Sequence, residues 1–111
     1  MSMQDFDTSH LDGKAKKIAD GIVKWLTDRY GAAPDGGGCK VFYTPQEWKT
    51  RGESYGTESI LVLVHDGGDL YPVCDYNCGN YKTMDEFRVF LEREFGVYTE
   101  QCTSWYSAVY E

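Results

Sequence analysis

The sequence predicts an α+β fold: one domain, with a mainly antiparallel sheet of about four strands and two long helices packed on it. Three observations carry this. Apolar residues recur at three- and four-residue steps over 9–30 and again over 83–95, which marks two amphipathic helices. The run "ILVLV" (60–64) and the Val-, Tyr-, Thr- and Trp-rich stretch 97–110 read as strands. The resulting order is helix, strand, short helix, hairpin, helix, strand. At 111 residues the chain fits a single domain and can bury a core without disulfide or metal staples.

Residues 1–8 are expected to fray. In the first helix, 9–30, Ala15, Ile18, Ala19, Ile22, Trp25, Leu26 and Tyr30 form one stripe. Ser9 or Asp12 caps its start, and Gly31 supplies a left-handed C-cap. "AAPDGGG" (32–38) is a connection and 39–43 a strand. A short helix over 45–49 follows, with Thr44 as N-cap, Pro45 at N1 and Glu47 completing a capping box. After a loop over 50–58, strands 59–65 and 70–76 are joined by "DGGD" as a hairpin. Thr83, with Glu86 three residues on, caps the helix 83–95, and Gly96 stops it. The last strand spans 97–110. The run 60–64 is apolar on both faces, so its strand needs cover on both sides. Two helices cover one face. The short helix and loops, or a second subunit in a homodimer, would cover the other.

The hairpin decides how "HDGGDLYPVCDYNCGNY" (65–81) is read. With the turn centred between Gly67 and Gly68, His65 faces Leu70, Leu63 faces Pro72 and Leu61 faces Cys74. His65 and Cys74 then share a face but stand roughly 13 Å apart along the strand. A cysteine–histidine dyad needs hydrogen-bond reach, so it fails. Pro72, which has no N–H, makes this strand an edge. Cys74 and Cys78 are spaced C-x3-C, unlike the usual zinc spacing, and Cys39 and Cys102 would have to converge from other strands. Four free thiols are expected, with no cofactor. Turn chemistry explains Asp66 and Asp69, and His65 reads as a solvated strand end.

Charge is uneven. Residues 1–51 carry eight Lys or Arg and seven Asp or Glu, whereas residues 52–111 carry three and eleven. Seven of the nine tyrosines fall in that acidic half. Such a surface repels nucleic acid and anionic membrane and attracts a basic protein surface. Tyr and Trp are enriched at binding hot spots. The expected role is therefore non-catalytic protein–protein binding, as an inhibitor or regulator of a nucleic-acid-handling protein of the kind phages and mobile elements encode. The expected contact residues are Glu53, Glu58, Asp75, Tyr76, Tyr81, Glu92, Glu94, Glu100, Trp105 and Tyr106. The alternative is a small enzyme or a ligand- or metal-binding domain using His65 and the cysteines. The polar, acidic N-terminus does not read as a signal peptide, and no apolar run approaches the ~18 residues that span a bilayer, so a cytoplasmic location is expected, the host cytoplasm for a phage protein.

Overall fold

A computed structural model describes residues 6–31, 34, 40–75 and 80–111. Helix α1 spans Gly13–Tyr30. Strand β1 is Phe42–Tyr43, helix α2 Pro45–Thr50 and strand β2 Leu61–Val64. Helix α3 covers Tyr71–Cys74 and α4 Tyr81–Phe95, followed by strands β3, Tyr98–Gln101, and β4, Tyr106–Tyr110. The four strands form one antiparallel sheet in the order β1-β2-β4-β3. The α+β architecture is thus the one expected, with two corrections to the strands.

The first correction concerns the strand expected over 70–76: residues 70–75 form no returning strand, and Tyr76 lies outside the described residues. Gly67 and Gly68 turn the chain at positive φ, and it then enters α3 with Pro72 in the first turn. There a missing N–H costs nothing. Leu70, Val73 and Cys74 are buried together, the i, i+3, i+4 spacing of a helix rather than the alternation of a strand. The neighbours of β2 are β1 and β4 instead. The second correction is that 97–110 divides. The Thr103 hydroxyl accepts from the Trp105 N–H at 3.3 Å, closing a side-chain turn that folds β3 back on β4.

Helix starts also shift. Ser9 bonds Asp7 rather than capping α1, and Asp12 takes the N-cap position without a side-chain bond. In α4 the cap is Asn80, whose side chain accepts from the Thr83 N–H at 3.4 Å. Thr83 lies inside the helix, buried, with its hydroxyl 3.4 Å from the Arg29 guanidinium. Residues 6–8 belong to the fold: Phe6 is buried edge-on to Phe42, and the Thr8 hydroxyl donates to Asp20.

The sheet is covered on both faces. On one lie α1 and α4, over Leu61, Leu63, Val109 and Phe42. Trp25 of α1 packs on Phe87 and Phe90 of α4. Gly21 admits Phe95 so closely that an added Cβ would stand 2.6 Å from the ring. The other face carries Val62, Val64 and Tyr106, covered by Trp48 of α2 and flanked by Trp105 and Tyr43. The Arg51 guanidinium caps this group, 4.6 Å from the Trp48 ring and 5.4 Å from Tyr43. Gly56 lies on the same face at positive φ, where a Cβ would press within 3.3 Å of Ala108. The short helix and a loop therefore supply the second cover.

The capping box at α2 is formed as read: Thr44 Oγ1 accepts from the Glu47 N–H at 3.0 Å, and Glu47 Oε1 accepts from the Thr44 N–H at 2.9 Å. Thr44→Ala removes the first bond and loosens the second. It is expected to cost about 1 kcal/mol, read as a lower urea midpoint at unchanged slope.

Candidate functional site

His65 is not a solvated strand end. It follows Leu61 and Leu63 on the helix-covered face and is fully buried. Ser107 of β4 lies on the same face, and its hydroxyl is 2.8 Å from His65 Nε2. Asp75, at the end of α3, brings Oδ2 to 3.9 Å from Nδ1. A carboxylate on that side favours the proton on Nδ1, so the Ser107 hydroxyl donates to Nε2. Asp75 Oδ1 accepts from Gln101 Nε2 at 3.3 Å, and the same amide donates to the Thr103 carbonyl at 3.1 Å. Burial pushes the imidazole below the ordinary histidine range; Asp75, and more weakly Asp66, oppose this. The ring is neutral at pH 7.

A serine, a histidine and an aspartate in this order are the parts of a nucleophilic triad. Here Ser107 and Asp75 are each only 1% exposed, and the histidine–aspartate distance exceeds hydrogen-bond range. Ser107 sits mid-strand between Leu63 and Gln101 in register. A substrate has no approach to its hydroxyl, and the group instead joins β2, β4, β3 and the end of α3.

The cysteines fare similarly. Cys74 is buried and Cys102 half-buried, both as free thiols. Burial first, then the carboxylates of Asp75 and Glu100 respectively, pushes each thiol up, which suppresses thiolate chemistry. Cys39, Cys78 and Tyr76 lie outside the described residues. Among the described residues no three His, Cys, Asp or Glu side chains are grouped to hold a metal ion.

The expected contact residues separate into three sets. Asp75 and Tyr106 are inside the molecule and leave the surface set. Burial of the Tyr106 phenol follows from its place over Trp48, 4.9 Å ring to ring, with its hydroxyl donating to the Tyr55 carbonyl. Tyr81, Glu92 and Glu94 are exposed along α4. Glu53 and Glu58 belong to the loop before β2, Glu100 to β3 and Trp105 to the turn between β3 and β4. Glu53 is paired with Arg51 at 3.2 Å.

Two residues that composition did not single out complete this last set. In register, Tyr98 faces Tyr110 and Glu100 faces Ala108. Both pairs lie on the α2 side of the sheet. The Tyr98 and Tyr110 rings stack at 5.8 Å, with Tyr98 46% exposed. Partial burial, with Cys102 and Glu100 close by, raises the Tyr110 phenol. A stacked aromatic pair and an exposed carboxylate thus stand together across the edge strand β3 and its neighbour β4, on the face where the Tyr55 carbonyl meets Tyr106. Such a surface offers ring faces and negative charge to a guanidinium or ammonium group.

On the opposite side of β3 a cleft of about 200 Å³ opens between β3, α3 and the first half of α4. Val73, Met84, Phe87 and Thr99 line it, with the ion pair Asp85–Arg88 at its rim. Among the described residues no helix is long and apolar enough to cross a membrane. Comparison with protein-family models, curated proteins and solved structures finds no match to this chain.

Proposed function

We propose that this protein acts by non-catalytic binding to a basic protein surface, through the α2 side of its β3–β4 edge. The observation that carries the reading is the stacked, part-exposed Tyr98–Tyr110 pair with Glu100 beside it on the outermost strand. Rings packed against each other lose little side-chain freedom when a partner docks, and the carboxylate supplies the charge. The Arg51 guanidinium on this face is already paired with Glu53, and the loop from there to β2 adds no further Lys or Arg. An inhibitor or regulator of a nucleic-acid-handling protein, working in the cytoplasm, fits this chemistry, because such proteins present basic surfaces.

The test uses a short lysine- and arginine-rich peptide as probe. Binding should weaken as salt rises. Charge reversal at Glu58 and Glu100 together should weaken it by about tenfold, roughly 1.4 kcal/mol. Reversal at Asp12 and Asp28, exposed on or beside α1, should change it by less than about twofold, the loss of long-range attraction alone. Equal effects from both pairs would show that only total charge counts and remove this face from the reading.

A further inference from the structure

We infer that the open edge of β3 receives an extended segment of the basic partner as an added strand, with Lys or Arg on one face of that segment and apolar side chains on the other. This rests on the reading of the Tyr98–Glu100–Tyr110 patch as the contact for a basic protein. It adds how the partner is held.

Among the described residues, β3 is the last strand of the sheet and pairs only with β4. Its pairing fixes which backbone groups face outward. Cys102 N–H bonds the Tyr106 carbonyl, and in register Glu100 faces Ala108 and Tyr98 faces Tyr110. Hydrogen-bonded pairs alternate along an antiparallel ladder, so 98, 100 and 102 bond to β4 while Thr99 turns its N–H and C=O to the open side. Side chains alternate too. Tyr98 and Glu100 lie on the α2 side, and Thr99 lies on the α4 side, where it forms one wall of the cleft.

An added strand continues this alternation. The residue opposite Thr99 points its side chain at the cleft, where Val73, Met84 and Phe87 offer packing to an aliphatic group between the polar side chains of Asp85, Arg88 and Gln101. The residues before and after it point to the other face, at the Tyr98 ring and the Glu100 carboxylate. Cationic groups there gain an ion pair and a ring face at once.

Charge selects the occupant. A second copy pairing antiparallel through the same edge about a two-fold axis at Thr99 would set each Glu100 opposite the other copy's Tyr98 and offer it no cation, between chains of net charge −7. Like-charged chains repel. A basic segment cancels the same charge instead.

The probes are three blocked peptides: one alternating leucine and arginine, one of the same composition in two blocks, and one alternating but N-methylated at the leucines. In the inferred pose the leucine N–H faces β3. The alternating peptide should bind, protect the Thr99 amide from hydrogen exchange, and lose about tenfold in affinity on Glu100→Lys or on N-methylation, the loss of one or two hydrogen bonds or a charge contact. Equal binding of all three peptides with Thr99 unprotected, but still weakened by Glu100→Lys, would overturn strand addition and leave the basic-surface reading standing. No binding of any of them at low salt would overturn both. Protection of Thr99 by the protein's own concentration-dependent dimerisation would give the edge to a second copy and also overturn the inference.

Discussion

Replacing Trp48 by alanine is expected to lower stability by about 4 kcal/mol, the scale for truncating a fully buried indole. Domains of this size are typically stable by about 5–15 kcal/mol, so one substitution would consume much of the margin. The effect is large because the face is small. Trp48 is fully buried and touches Tyr43, Trp105 and Tyr106 at ring distances of 4.8, 5.7 and 4.9 Å. Its removal leaves Val62 and Val64 with little above them and the Arg51 guanidinium without its main ring. Trp25, only half-buried where it packs on Phe87 and Phe90, should cost less on the same change. Urea denaturation of both variants measures this. A Trp48→Ala cost below that of Trp25→Ala would show that the second face contributes little.

The second large effect is at His65. His65→Ala removes a buried ring and leaves the Ser107 hydroxyl without its acceptor. A cavity and an under-satisfied buried hydroxyl together should cost roughly 3 kcal/mol at pH 7. The native ring also sets a pH dependence. Its folded-state pKa lies below the ordinary value of ~6.5. Between these two values the unfolded chain binds more protons, so acid favours unfolding. The stability that neutral His65 contributes is complete above pH ~6.5 and declines as pH falls toward the folded-state pKa, by at most ~1.4 kcal/mol per pH unit for one proton. His65→Gln should flatten this decline. Stability that rises on acidification through this window would mean that Asp75 outweighs burial and holds the ring charged.

What the sequence disclosed follows from how far apart the informative residues stand. The stripes of α1 and α4, the Gly31 and Gly96 stops and the Thr44–Glu47 box are each contained within a few turns of chain, and each formed. α3 was hidden because four residues hold barely one helical period, and Leu70-x-x-Val73-Cys74 is compatible with either reading. The partners of β2 were hidden because Leu63 meets Ser107, far along the chain, and no window spans both. The same distance concealed the site. Glu100 and Trp105 stood out by residue type, but the Tyr98–Tyr110 pair exists only once β3 folds onto β4. The burial of Asp75 depends on α3, whose end sets it beside His65 and Gln101, so by residue type alone it reads as a surface carboxylate.

The strand order has a consequence for how this protein is made. β4 is central in space and yet the last strand in the chain, with β2 on one side and β3 on the other. Loop closure over so long a separation must precede the contacts that reward it, which makes folding slow compared with a helical bundle. While the chain is being synthesised, Val62 and Val64 have no β4 beside them and Trp48 has no Tyr106 beneath it until residues 106–110 emerge. The helices can form early, but the sheet that organises them assembles only after β4 is available. During that interval the apolar strand β2 has an unpaired edge, and the acidic residues around it become the nascent chain's protection against aggregation.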